Sequence, residues 1–269
     1  MVIDFHTHVF PEKLAPRAVE SLQRGIASHW GRGQGLPMFS DATLTGLERS
    51  MEEHGIDISV VLPIATAPKQ TTSINEYAKK VSRGGIISFG SVYPGQDGWE
   101  KTVEQLARDG FHGIKLHPEF QDFYIDSREA VQLINKCREL GLTVVIHAGV
   151  DYGIAPPVRC TPERLRNALN YFQGDNLVAA HLGGFVLWDE VEKYLIDTPV
   201  IFDTAMISRY IDPVLCADII RRHGMDKVVC GSDSPWEDQS ANRSFLKKAG
   251  FTENELAGFD KNAAALLGL

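Results

Sequence analysis

Eight short apolar runs rich in β-branched residues recur along the chain: VIDFHTH (2–8), SVVLPI (59–64), GIISFGSV (85–92), HGIKLH (112–117), LTVVIH (142–147), LVAAH (177–181), PVIFD (199–203) and KVVCG (227–231). Amphipathic segments separate them, among them ATLTGLERSMEEHG, SINEYAKKVSRG, WEKTVEQLARDG, REAVQLINKCRELG, PERLRNALNYFQG and PVLCADIIRRHG. Several of these open near Ser, Thr or Asp and stop at glycine, as at Gly110, Gly141 and Gly174, which is N-cap and left-handed C-cap chemistry. Strand and helix in strict alternation build a parallel sheet covered by helices. Eight such units in 269 residues predict an α/β fold of the (β/α)8 TIM-barrel type, read as one domain over 1–269. The stretch RGIASHWGRGQGLPMF (24–39) breaks the pattern and reads as an elaborated first loop, either a lid or an ordinary insertion.

The same composition excludes several roles. Lys and Arg number 27 against 35 Asp and Glu, a net charge of −8 without a basic stripe, so neither nucleic acid nor an anionic membrane is an expected partner. No run approaches the length of a membrane span, and the acidic, histidine-bearing start does not resemble a secretory leader, so a cytoplasmic location is expected. The four cysteines lack C-x-x-C spacing, which argues against disulfides and a thiolate metal site. A small-molecule substrate is the expected partner, and a homo-oligomer is compatible with the sequence.

A barrel of this kind carries its chemistry at the C-terminal ends of its strands. Five of the nine histidines, His6, His8, His117, His147 and His181, fall at such ends, and the last strand runs into GSDSPW, which adds Asp233. By the period of two, His6 and His8 share one face with Asp4. A lone strand-end histidine is usually structural, and a lone Asp233 would read as a loop-capping carboxylate. Neutral imidazoles gathered with a carboxylate are what a borderline divalent cation binds. The remaining histidines, His29, His54, His112 and His223, sit in loops, at helix ends or at a strand start and read as ordinary residues there.

Taken in order, IDFHTHVFP, GIKLHPEFQDF, VIHAG, AAHLGG and GSDSPW resemble the metal-dependent amidohydrolase superfamily, in particular the amidohydrolase-related branch that includes aminocarboxymuconate semialdehyde decarboxylase. The resemblance spans nearly the whole chain. It implies a metal-dependent barrel in which His6, His8, His147 and Asp233 hold one divalent ion, Zn²⁺ as first choice and Mn²⁺ as second. It places His181 beside the metal-bound water and gives Asp233 and His181 the proton-transfer roles. By parity Lys115 and His117 face the same way. They are candidate substrate contacts or, in a lesser alternative, part of a second metal site bridged by a carboxylated Lys115. Arg159 and Arg209 are weak candidates for pairing a substrate carboxylate, with surface salt bridges as the competing reading. Phe10, Trp30, Phe123, Tyr152, Phe185 and Trp236 are candidates for an apolar wall, Trp236 also as a substrate contact, and Asp4 is a candidate supporting partner of the site.

Two chemistries share these ligands. The first reading is hydrolysis of a small carbonyl-containing substrate by metal-activated water. The alternative is non-oxidative decarboxylation of a small unsaturated or aromatic carboxylic acid. A metal-binding barrel without turnover is the least favoured.

Overall fold

The computed structural model describes residues 1–30 and 33–269. Strand β1 (Ile3–Thr7) pairs in parallel with β2 (Ile58–Val61), and β2 with β3 (Ile86–Ser88). The third apolar run is interrupted at Phe89, so its second half forms β4 (Gly90–Ser91). From β4 the parallel order continues through β5 (Gly113–Leu116), β6 (Thr143–Ile146), β7 (Leu177–Ala179), β8 (Ile201–Asp203) and β9 (Val228–Val229). The ring closes where the first strand meets the last: Phe5 N–H donates to the Cys230 carbonyl at 2.8 Å, Asp233 N–H to His6 at 2.8 Å and His8 N–H to Ser234 at 2.7 Å. The eight runs thus form a closed (β/α)8 barrel, whose closure leaves no sheet edge to template aggregation.

Ten helices cover it: α1 (Ala15–Ser28), α2 (Leu44–His54), α3 (Thr71–Val81), α4 (Trp99–Arg108), α5 (Arg128–Glu139), α6 (Pro162–Ala168), α7 (Trp188–Tyr194), α8 (Pro213–His223), α9 (Gln239–Lys248) and α10 (Glu253–Leu266) among the described residues. Their starts follow the capping chemistry of the sequence. Ser127, Thr161 and Asp212 accept backbone N–H groups at the starts of α5, α6 and α8, and Thr252 with Glu255 forms a reciprocal capping box at α10. Helix α1 runs to Ser28, so residues 24–28 of the stretch read as a loop are helical, and residues 31 and 32 of that stretch lie outside the described residues. Leu36 is tied to α1 by Gln23, which donates to the Leu36 carbonyl at 2.6 Å and accepts its N–H at 2.7 Å.

The barrel interior is filled by alternate residues of its strands: Ile3, Phe5, Val60, Leu62, Phe89, Val145, Val178 and Val229, joined by Ala263 and Leu267. This dry layer is the floor on which the next residues toward the strand ends sit. The period-two expectation fails once, in β1, and that failure is a correction. Pairing with β2 shifts between Asp4 and Thr7, a β-bulge that places an extra residue in the first strand. Asp4 therefore does not share a face with His6 and His8. It accepts from the Ser232 amide at 2.8 Å, the Ser232 hydroxyl at 2.6 Å and Gln239 of α9 at 2.8 Å, locking the barrel seam. Burial pushes its carboxyl up to about 6 against these hydrogen bonds.

Candidate metal centre

The C-terminal mouth of the barrel opens into a cavity of about 130 Å³ whose polar floor is His6, His8, Lys115, His117, His147, His181, Asp151 and Asp233. Every strand-end histidine singled out from the sequence lines this one space. Its upper wall is apolar and includes Phe10, Tyr152, Phe185 and Trp236 together with Leu22 and Ile26 of α1 and Leu36. The 24–39 stretch thus supplies part of the wall. Trp30, whose indole N–H donates to the Ile154 carbonyl at 2.7 Å, and Phe123 are not among the residues that line it.

The hydrogen-bond partners dictate which ring nitrogens carry protons. His6 Nδ1 lies 2.7 Å from Asp203 Oδ2, and His8 Nδ1 lies 2.8 Å from the Leu62 carbonyl. Both partners are acceptors, so each ring donates through Nδ1 and its Nε2 is a bare lone pair. These two lone pairs stand 3.2 Å apart, and Asp233 Oδ1 lies 3.4 Å from the first and 3.1 Å from the second. Three electron-pair donors converge with no proton of their own between them. Burial, reinforced by the charge of Lys115, drives the His6 imidazole well below its ordinary range, so it does not take up a proton at neutral pH. Burial alone would raise Asp233, and positive charge at the Nε2 side of His6 and His8 is what offsets it; with His6 neutral, that charge is a cation's to supply. An electron-rich, proton-poor trio of two imidazoles and a carboxylate fits a divalent cation.

A second grouping lies beside the first. His181 Nδ1 donates to the Ala205 carbonyl at 2.9 Å, so its Nε2 accepts from His147 Nδ1 at 3.0 Å. His147 Nε2 is then a lone pair as well, and it is buried without a hydrogen-bond partner. His117 stacks on His147 with ring centroids 4.3 Å apart and donates through Nε2 to Asp151 at 3.1 Å. The structure therefore brings His6, His8 and Asp233 together and sets His147 with His117 and Asp151, next to the trio rather than within it. Lys115 Nζ donates to His6 Nε2 at 3.1 Å. Its ammonium is fully enclosed, and burial pulls it down to about 8 although Asp203, Asp233 and Asp151 all favour the charge.

Two of the groups take backbone angles that side chains other than glycine rarely adopt, His181 at φ 58° and Asp233 at φ 69°. Such angles cost about 1–3 kcal/mol each and persist where the surroundings hold them. The two arginines are placed elsewhere. Arg159 pairs with Asp122 at 2.7 Å, and Arg209 donates to the Trp236 carbonyl at 2.8 Å and lies 3.7 Å from Glu237; neither lines the cavity. Arg209 instead anchors the backbone of Trp236, whose side chain does line it.

Sequence reasoning passed over Asp203, Asp151 and Glu119. Asp203 ends PVIFD at a strand terminus, the same signal that marked the histidines, and Asp151 follows VIHAGV by one residue. Glu119 is buried beneath His117, with Oε2 3.8 Å from its Nδ1, and burial pushes its carboxyl up to about 7.

The Amidohydro_2 family model, described as Amidohydrolase, matches residues 3–269. The chain belongs to the amidohydrolase family. No curated protein matches it by sequence. Solved structures share its fold at low identity. A 5-carboxyvanillate decarboxylase from Novosphingobium aromaticivorans, complexed with manganese and 4-hydroxy-3-methoxy-5-nitrobenzoic acid, aligns at TM-score 0.75 and 14% identity over 100% of this chain and 96% of that one. A 2,6-dihydroxybenzoate decarboxylase from Rhizobium aligns at 0.66 and 13%, covering 99% and 98%. A probable 2-pyrone-4,6-dicarboxylic acid hydrolase from Acinetobacter baumannii, with citric acid bound, aligns at 0.65 and 15%, covering 100% and 99%. This amidohydrolase thus shares its barrel with both decarboxylases and a probable hydrolase. Among its described residues, no helix is long and apolar enough to cross a membrane.

Proposed function

We propose that this amidohydrolase is a metal-dependent, non-oxidative decarboxylase of a small aromatic or unsaturated carboxylic acid. The observation that carries the reading is the pairing of a cation-competent trio, His6, His8 and Asp233, with an apolar, aromatic-walled cavity above it. The decarboxylases among proteins of the same fold support it. His147, through its unpartnered Nε2, is the candidate fourth ligand, oriented by the hydrogen bond it donates to His181. A divalent ion held there, Zn²⁺ or Mn²⁺, would supply the positive charge that binds and polarises the substrate's oxygen atoms.

The chain's own groups supply the rest. The aromatic walls, Phe10, Phe185 and Trp236 among them, hold a flat apolar body and exclude water. Lys115 presents a buried ammonium to the anionic end of the substrate. Breaking the bond to the carboxylate releases CO₂ and leaves an electron pair on carbon, which a proton must take up. Groups facing the cavity hold exchangeable protons for this, among them Lys115 and the His117–Asp151 pair at 3.1 Å. Asp233 remains ionised and serves the cation.

Hydrolysis is the second reading, supported by the probable hydrolase that shares the fold and by the suitability of the same trio for activating water. The two separate in one experiment. Protein loaded with Zn²⁺ or Mn²⁺ is offered hydroxybenzoates, unsaturated acids, lactones and esters, and both CO₂ and hydrolysis products are followed. CO₂ release from an acid supports the proposal; ring opening or ester cleavage without CO₂ replaces it with hydrolysis.

A further inference from the structure

We infer that Asp203 is a positioning residue that sets the ring tautomer of His6 and so makes His6 Nε2 available to a metal ion; the inference rests on the metal-centre reading above. Asp203 ends β8 and is entirely buried. A carboxylate there is costly unless its lone pairs are used, and they are. Oδ1 accepts two backbone N–H groups, His181 at 2.8 Å and Ala205 at 3.0 Å. Oδ2 is left for His6 Nδ1 at 2.7 Å. One side chain therefore fixes both His6 and the backbone of His181, whose ring in turn accepts from His147. It joins the trio to its neighbouring group.

The division of labour between the two oxygens makes a sharp consequence. Two backbone N–H groups can only donate, so in Asp203→Asn the single amide oxygen is claimed at the Oδ1 position. The amide NH₂ then faces His6 Nδ1, which must become an acceptor. The ring proton moves to Nε2, where it points at His8 Nε2, Asp233 Oδ1 and the Lys115 Nζ that donates to this atom in the wild type, and it blocks the lone pair a cation needs. A substitution with almost no change of shape thereby inverts the chemistry of a residue on another strand. A purely structural role predicts no such inversion.

The test uses the full-length chain, wild type and D203N. Zn²⁺ affinity is measured by competition with a chromophoric chelator, and the protonation of His6 ring nitrogens by ¹⁵N NMR, the signal being assigned by its loss in His6→Gln. Expected are a Zn²⁺ affinity about 10–100-fold weaker in D203N, with His6 protonated at Nδ1 in the wild type and at Nε2 in the variant. Unchanged affinity in a folded D203N, or a wild-type His6 protonated at Nε2, overturns the inference. Should D203N fail to fold, the wild-type ring signal decides alone. A wild-type chain that binds no Zn²⁺ contradicts the metal reading itself, and the tautomer assignment is then judged by the two NMR signals.

Discussion

His8 Nε2 and Asp233 Oδ1, carried by the first and last runs of the barrel, stand 3.1 Å apart. Neither is a metal site alone; closure of the barrel makes them one. The backbone bonds of that seam, His8 N–H to Ser234 and Asp233 N–H to His6, hold the donors against each other before any ion arrives. Preorganisation of this kind lowers the cost of binding. Purified protein is accordingly expected to hold about one divalent ion per chain. His8→Ala and Asp233→Asn should each lower that content severalfold while leaving the circular dichroism spectrum unchanged. Full occupancy in both variants, measured by elemental analysis, would remove the trio from the account.

Lys115 distinguishes one ion from two. As a substrate contact, Lys115→Met should raise KM by about 10–100-fold, the scale of a lost charge-assisted hydrogen bond of about 1.5–3 kcal/mol, and leave metal content unchanged. A fall from two ions to one in the same variant would instead assign Lys115 to a carboxylated bridge.

Gly149 follows His147 by two residues and sits at φ 89°, with space for a Cβ already taken by the Phe185 amide nitrogen at 2.1 Å. Gly149→Ala must break the parallel bridge between Gly149 and Phe185. A loss of about 3 kcal/mol or more is expected in chemical denaturation, within the range of severe backbone and packing defects. A loss under about 1 kcal/mol would show that this crossing is not rigid.

His223, which does not line the cavity, gives a pH signature of its own. Its Nε2 donates to the Val200 carbonyl at 2.8 Å and its ring stacks on Phe202, and burial holds it down at about 4 from an ordinary 6.5. The folded state thus resists a proton that the unfolded chain accepts, so this contribution is intact above pH 6.5 and is lost as the pH falls toward 4. Between pH 7 and pH 5 the wild type should lose about 2 kcal/mol relative to His223→Gln, whose amide keeps a donor for Val200. Parallel stability curves for the two proteins would contradict this.

The barrel and the rim of histidines were legible because both rest on local rules: alternation of strand and helix, and the placement of polar residues where an apolar strand stops. What lay out of view depended on relations between strands. The bulge that turns Asp4 away from His6 is a property of pairing with β2, and nothing in IDFHTH announces it. The hydrogen bond from His147 to His181, which leaves His147 Nε2 as its lone pair, is not contained in a list of strand ends. Asp203 was passed over although PVIFD carries the same strand-end signal, since its partner His6 lies far away along the chain. Arg159 and Arg209 had matching charge for a substrate acid, but loop geometry gives them to Asp122 and to the Trp236 carbonyl with Glu237 beside it.

The central claim is metal-dependent loss of CO₂ from a small acid, and turnover in D₂O with metal-loaded protein tests it most directly. For an accepted aromatic or unsaturated acid, the account predicts CO₂ equal to product, one deuterium at the carbon that carried the carboxylate, and no reaction after chelation of the metal. A product that keeps its carboxylate and gains oxygen from water, or turnover unaffected by chelation, would contradict it.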